Sequence, residues 1–279
     1  MLLQLPDRVL NLDAPVAMGI LNVTPDSFSD GGRHASVAAA VEHALQMVEQ
    51  GAAIIDVGGE STRPGAAPVS EEEELRRVLP VISALRARSS IVIAIDTMKP
   101  AVMRAACGAG AELVNDVSAL TAPGALDAVV ETRAAVCLMH MRGEPQTMQD
   151  APVYTDVLAE VRHFLAARLA CCEAAGIARA RICLDPGIGF GKTLDHNLHL
   201  LAALNELQAL GCPLLIGVSR KSMFGKLLGR PVDQRLAGAL AASALAVWQG
   251  AAIVRTHDVQ ASVDAIRVAA ALRKFRADV

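Results

Sequence analysis

Eight short apolar runs punctuate the chain, and each ends in polar, chemically capable residues before a stretch of helical character. The runs lie near Val16–Leu21, Ala53–Val57, Ile91–Ile95, Leu113–Asn115, Ala135–Met139, Arg181–Leu184, Leu214–Val218 and Ala252–Thr256. They are apolar on consecutive positions rather than alternating, which is the pattern of parallel strands buried on both faces. Helices are expected near 36–50, 71–88, 99–109, 124–133, 155–175, 195–209, 232–249 and 259–276. Ser70 with Glu73 offers a capping box for the second of these, and Pro100 suits the first turn of the third. Gly51, Gly110, Gly176, Gly211 and Gly250 stand where a helix closes on a left-handed residue. The unit of strand and helix recurs about every 30 residues, the scale of a βαβ crossover, with no sequence repeat beneath it. The predicted fold is therefore α/β, a (β/α)8 TIM barrel, with residues 2–13 as a short N-terminal hairpin. A length of 279 residues suits one such barrel, and no linker divides it, so residues 1–279 are expected to form a single domain.

Closing eight parallel strands into a barrel puts all their carboxyl ends on one face, where barrel active sites sit. The tips are Asn22; Asp56, with Glu60 just beyond; Asp96; Asn115 with Asp116; His140; Asp185; Ser219-Arg220-Lys221; and Arg255 with His257. Two of the following loops, from Asn22 to Gly32 and from Gly58 to Gly65, are long and mix hydroxyls, charges and an aromatic with Gly and Pro. Loops of that kind over a rigid barrel commonly carry function.

Composition narrows the classes. Hydrophobic residues make up 53% of the chain, much of it alanine, and the formal net charge is −3. No cationic face marks a nucleic-acid binder. The longest uncharged stretch, Leu236 to Val254, reaches the length of a membrane span of roughly 20 residues. Gln249-Gly250 interrupts it, so it reads as a helix followed by a strand, and no membrane partner is expected. Residues 1–15 carry Pro6, Asp7 and Asp13 and lack the cationic start and long apolar core of a secretory signal. The six cysteines form no CxxC pair. They fit apolar packing in a reducing, cytoplasmic compartment better than disulfides or zinc.

The tips supply two kinds of chemistry. Asp96, Asn115 and Asp185 could grip a flat heterocycle with several N–H donors, since a carboxylate accepts two parallel bonds from an amidine-like edge. Each alone could equally be a structural hydrogen bond to nearby amides. Lys221, Arg220, Arg255 and His257 stand on the loops after strands seven and eight, a frequent phosphate site of this fold, and Thr62 and Arg63 could add donors. Arg255 could instead pair with Asp258 or Asp56, and Lys221 could act as a Schiff-base nucleophile. Asn22 is a neutral oxygen ligand whose value for magnesium depends on a diphosphate nearby. His140 reads either as a general base or as a residue fixing the strand-five loop. The segment Asp185 to Thr193 lacks the G-x-x-x-x-G-K spacing of a nucleotide loop, and Phe190 within it suits an aromatic wall.

Several of these segments together resemble the dihydropteroate synthase family. Gly19 to Gly32 is similar to its first signature and Asp56 to Gly65 to its second. Ile95-Asp96-Thr97, Asn115-Asp116, Met139-His140-Met141, Asp185 to Lys192, Ser219-Arg220-Lys221-Ser222 and Arg255-Thr256-His257-Asp258 follow in the family's order. The resemblance implies condensation of 6-hydroxymethyl-7,8-dihydropterin diphosphate with 4-aminobenzoate, giving 7,8-dihydropteroate and diphosphate in folate biosynthesis. It implies that Asp96, Asn115, Asp185 and Lys221 hold the pterin. Asn22 would ligate Mg2+ on the diphosphate, and Thr62, Arg63, Arg255 and His257 would contact the diphosphate itself. Phe28, Pro64, Phe190 and Ser222 would frame the aminobenzoate. Asp96, Lys221 and Arg255 are then the residues expected to carry catalysis. It also implies a homodimer and sulfonamides as aminobenzoate mimics. Two rivals share features: a pterin-binding methyltransferase barrel, which would not need the Ser61 to Gly65 loop or the Arg255/His257 anion site, and a non-catalytic paralogue.

Overall fold

Strands form where the sequence is apolar on consecutive positions because helices cover one face and the barrel interior covers the other. The computed structural model describes residues 1–23, 32–61, 67–143, 147–148 and 151–275. A hairpin of β1 (Leu2–Gln4) and β2 (Val9–Asn11) comes first. The chain then runs β3 (Val16–Asn22), α1 (Gly32–Glu49), β4 (Ala52–Gly58), α2 (Glu71–Arg88), β5 (Val92–Asp96) and α3 (Pro100–Gly108). It continues through β6 (Leu113–Asp116), α4 (Ala125–Thr132), β7 (Ala135–Met139), α5 (Val157–Ala174) and β8 (Ile182–Asp185). The last part holds α6 (Leu194–Ala202), α7 (Leu204–Leu207), β9 (Leu215–Gly217), α8 (Ser222–Leu228), α9 (Leu236–Trp248), β10 (Ile253–Thr256) and α10 (Val259–Lys274).

The eight-stranded sheet has the order β8-β7-β6-β5-β4-β3-β10-β9, and its ladders are parallel. The seam that closes it, between β8 and β9, is an isolated bridge from Leu184 to Leu214, beside a Leu184 N–H bond to the Pro213 carbonyl at 2.9 Å. Pro213 has no N–H with which to extend that ladder. The expected (β/α)8 barrel is thus present, with its N-terminal hairpin.

Successive residues of each strand point to opposite faces. Ile55, Val57, Ile93, Ile95, Val114, Val136, Leu138, Leu184, Ile216 and Val254 pack with the helices. Met18, Ile54, Val92, Ala94, Leu113, Cys137, Cys183, Leu215 and Ile253 fill the interior. The hairpin closes the bottom, with Leu3, Leu5 and Leu12 buried in the same interior cluster. Arg8 ties it down by donating to both Glu112 carboxylate oxygens at 2.8 and 2.5 Å and to the Ser90 carbonyl at 2.6 Å.

Several local expectations meet a different outcome. The helix expected over 195–209 breaks at Ala203, which leaves helical geometry (φ −114, ψ 21); the chain restarts in α7 so that Leu204 and Leu207 still bury fully. The helix expected from 232 begins as a 3-10 turn at Val232–Gln234 before α9. The short α8 was not expected. Ser70 caps α2 by accepting from the Glu73 N–H at 3.2 Å, but the reciprocal half of the box is missing because the Glu73 carboxylate accepts from Arg76 and Arg77. The glycines at 51, 110, 176, 211 and 250 all take positive φ, between 74° and 117°.

Candidate active site

The same two-residue alternation that fills the interior also builds the mouth. Two positions beyond Ile54, Ala94, Leu113, Cys183 and Ile253 stand Asp56, Asp96, Asn115, Asp185 and Arg255. All five are therefore inward residues at the upper end of the barrel. Asp56 is fully buried, and Asp96, Asn115 and Asp185 are 8%, 4% and 6% exposed.

Arg255 is the hub of one group. Its Nε donates to Asp56 Oδ2 at 2.5 Å and its Nη2 donates to Asp96 Oδ2 at 2.6 Å. Asn115 Nδ2 donates to the same Asp56 oxygen at 3.0 Å. That bond fixes the amide, so the Asn115 carbonyl oxygen is left to accept from another group. Asp56 Oδ1 is buried with no hydrogen-bond partner among the described residues. Burial pushes the Asp96 carboxyl up to about 7, against the lowering effect of the Arg255 charge. Burial also works against the Arg255 charge, but Asp56 and Asp96 outweigh it and hold the guanidinium above its ordinary range. The sequence left Arg255 open between a phosphate, Asp258 and Asp56. It pairs with Asp56 and Asp96, while Asp258 takes Arg220 at 2.7 Å.

A second group follows β8. The Asp185 carboxylate accepts from the Gly187 N–H at 2.7 Å. Burial raises its pKa, opposed by the charge of Lys221, by that bond and by the charge of Lys192. Lys221 Nζ donates to the Ile188 carbonyl and lies 4.6 Å from the centroid of the Phe190 ring. Burial lowers Lys221 to about 8, with Asp185 pulling the other way. A Cβ on Gly189 would stand 3.0 Å from Lys221 Cδ, and its φ of +84° is one that few side chains adopt. Glycine there lets the lysine lie against the loop.

Of the other expected residues, His257 presents both its backbone N–H and its Nδ1 to Ser219 Oγ, at 3.2 and 3.0 Å. Ser222 opens α8 and is exposed. Asn22 ends β3 opposite Gly58, whose other neighbour is Asp96. Thr62 and Arg63, like Phe28 and Pro64, lie outside the described residues.

His140 is 6% exposed, and its Nδ1 lies 2.9 Å from Lys192 Nζ. Burial and the Lys192 charge depress the imidazole to about 3. It is therefore neutral near pH 7 but only weakly basic, and its Nδ1 is engaged with Lys192, which fits the loop-fixing reading better than a general base. Asp56, named from sequence as a strand tip and a possible partner of Arg255, takes that pairing and carries a signal in its spacing, two positions from Ile54 on the inward face. Lys192 was passed over and carried no such signal, since its other partners are backbone carbonyls.

A barrel mouth lined by carboxylates, an amide and cations is a site for a heterocycle with several N–H donors and an anionic tail. The sequence model of the family described as pterin binding enzyme matches residues 18–257, and the chain belongs to that family. Within it, the chain stands with the dihydropteroate synthases. It is 56% identical to the dihydropteroate synthase of Escherichia coli strain K12 over 259 residues, 93% of this chain and 92% of that one. Its fold superposes on the Yersinia pestis dihydropteroate synthase, solved as a sulfonamide drug complex, with TM-score 0.93 and 50% identity over 98% of this chain and 100% of that one. The Xanthomonas albilineans dihydropteroate synthase in complex with 7,8-dihydropteroate matches with TM-score 0.89 and 50% identity, covering 98% and 99%.

Proposed function

We propose that the chain condenses 6-hydroxymethyl-7,8-dihydropterin diphosphate with 4-aminobenzoate to give 7,8-dihydropteroate and diphosphate. The observation that carries the reading is the inward cluster Asp96, Asn115, Asp185 and Arg255 with Lys221 beside it, on a chain of this family. The Xanthomonas relative holds the product of that reaction.

Each role follows from the chemistry of the side chain. The Asp185 carboxyl group meets the amidine-like edge of the pterin, from which a carboxylate accepts two parallel N–H bonds. Asn115 presents its carbonyl oxygen to a ring N–H, because its amide N–H is committed to Asp56. Lys221, its stem lying along Gly189, donates to a ring acceptor. Asp96 offers a carboxylate to a ring N–H and to positive charge that develops at the pterin methylene as diphosphate departs. Arg255, held by Asp56 and Asp96, stands with His257 at the strand-eight end, and the two meet the diphosphate and offset its growing charge, a role in which the resemblance adds Thr62 and Arg63. Phe190 and Ser222 frame the aminobenzoate. The aromatic amine attacks the methylene carbon as the carbon–oxygen bond breaks, and it needs placement more than deprotonation. The weakly basic His140 agrees with that.

Asn22 would hold Mg2+. A Cβ on Gly58 would stand 3.8 Å from Asn22 Oδ1, so that oxygen lies at the mouth beside Asp96, whose own Oδ2 is taken by Arg255. Among the described residues no cluster of three His, Cys, Asp or Glu side chains could hold a metal unaided. That suits magnesium, which keeps waters and leans on substrate phosphates. When bound, the ion neutralises charge on the leaving diphosphate.

Two further readings rest on separate observations. A homodimer would bury Leu245, Val268, Leu272 and Phe275, which are 64%, 62%, 58% and 73% exposed along α9 and α10; Leu245→Glu with Val268→Glu would then sediment as a monomer, and an unchanged mass would reject this face. A cytoplasmic location is supported by six cysteines, none in a disulfide. The test of the reaction is incubation of the purified chain with the pterin diphosphate, 4-aminobenzoate and magnesium. Dihydropteroate is expected, and its absence refutes the reading.

A further inference from the structure

Lys192 is among the largest fully buried side chains of the protein, at 2% exposure. Its ammonium donates to the Gly187 carbonyl at 2.9 Å, to the Phe190 carbonyl at 3.0 Å and to His140 Nδ1 at 2.9 Å, with the His140 carbonyl at 3.4 Å. Three donors thus meet the carbonyls of one loop and the end of the neighbouring strand. The loop is wound tightly enough to require this. Gly187, Gly189 and Gly191 have φ of 68°, 84° and 62°, and a Cβ at Gly187 would stand 1.8 Å from the His140 carbonyl oxygen. Carbonyls turned inward by such a path need a buried donor, since an unpaired one gives up its hydration without return. Asn197 secures the outer side, accepting from the Gly189 N–H at 2.6 Å.

The loop that Lys192 gathers presents two groups to the mouth. The Ile188 carbonyl accepts from Lys221, and the Phe190 ring lies against the same ammonium. Asp185 opens the loop, and the protonated Lys192 is one of the charges that favour its ionised form; burial lowers the lysine itself to about 7, with the Asp185 charge pulling the other way. We propose that Lys192, oriented by His140, is a positioning residue of the pterin site: it locks the 187–190 turn that sets Lys221 and Phe190, and its charge supports Asp185 as an acceptor. Neither residue touches the substrate. Without the ammonium the turn opens, Lys221 loses its carbonyl partner and Asp185 its nearby charge, and pterin affinity falls before the chemical step does.

The proposal rests on the pterin site described above, and the wild-type assay tests that site separately. Lys192→Met removes the donor at similar volume. His140→Leu removes the acceptor, and His140→Gln restores one. Each variant is compared with the wild type for KM of the pterin diphosphate, for kcat, and for thermal unfolding by circular dichroism. Lys192→Met and His140→Leu are expected to raise KM about tenfold or more while kcat stays within about threefold, and His140→Gln to recover most of the loss. A folded Lys192→Met with wild-type KM overturns the proposal. Should Lys192→Met fail to fold, the histidine pair decides alone: equal KM for His140→Leu and His140→Gln overturns the positioning role, because packing would then be all that the histidine supplies.

Discussion

Arg255→Ala strikes the centre of the site, and its cost can be worked from the burial around it. The guanidinium bridges Asp56, which is fully buried, and Asp96, which is 8% exposed. Removing one member of a buried ion pair costs about 3–5 kcal/mol, because the buried partner loses its counter-charge. At about 2 °C per kcal/mol, the low end of the range for mid-sized domains, the melting temperature should fall by roughly 6–10 °C. The sign of the pH dependence is fixed by Asp96. Its folded pKa, about 7 with Arg255 present, lies above its unfolded value, so its contribution is fully present below the unfolded pKa and lost as pH rises through the folded one. Without Arg255 the folded pKa rises further, so the variant keeps losing stability above pH 7 where the wild type has stopped. Melting curves at pH 6 and pH 8.5 should therefore show the gap between variant and wild type widening at the higher pH. In the dihydropteroate-forming assay kcat/KM for the pterin diphosphate should drop at least about tenfold, or 1.4 kcal/mol. An unchanged melting temperature at pH 8.5, or an equal gap at both pH values, would refute the charge-bridge account of Arg255.

Three other outcomes test separate parts of the molecule. Asp185→Asn turns an acceptor-only group into one that also presents N–H donors, and should weaken pterin binding by about 1.5–3 kcal/mol or more; calorimetry returning the wild-type dissociation constant would contradict it. Chelation should abolish turnover and added magnesium should restore it, whereas full activity in excess chelator would defeat the assignment of Asn22. Leu3→Ala on the hairpin should cost about 2–5 kcal/mol in denaturant unfolding, and a neutral result would mean that the hairpin does not seal the interior.

The barrel was legible because burial on both faces leaves a trace in every strand: Ile91 to Ile95 and Ala135 to Met139 contain no polar residue. The break at Ala203 was not, since Leu200, Leu204 and Leu207 keep helical spacing across it and only the dihedral angles reveal the change. Asp96, Asn115 and Asp185 could be found because Asp96 and Asp185 end their strands on the mouth side and Asn115 stands one residue before the end of its own. Asp56 could not be ranked from sequence in the same way. It sits inside its strand, with Val57 and Gly58 still to come, and its part depends on Arg255, 199 residues away. His140 stayed ambiguous because the group that defines its protonation is Lys192, and two residues 52 apart give no hint in sequence that they touch.

The seam between β8 and β9 gives the barrel a preferred place to open. Every other strand is laced to its neighbours by a ladder, whereas Leu184 and Leu214 meet through one bridge beside a proline. Backbone amides exchange with solvent through the openings that cost least. The amide of Leu184 should therefore exchange sooner than its burial suggests, and sooner than the fully laddered Ile93 and Val114. The strand it belongs to ends in Asp185, so one wall of the pocket is hung on the least fastened edge of the cylinder.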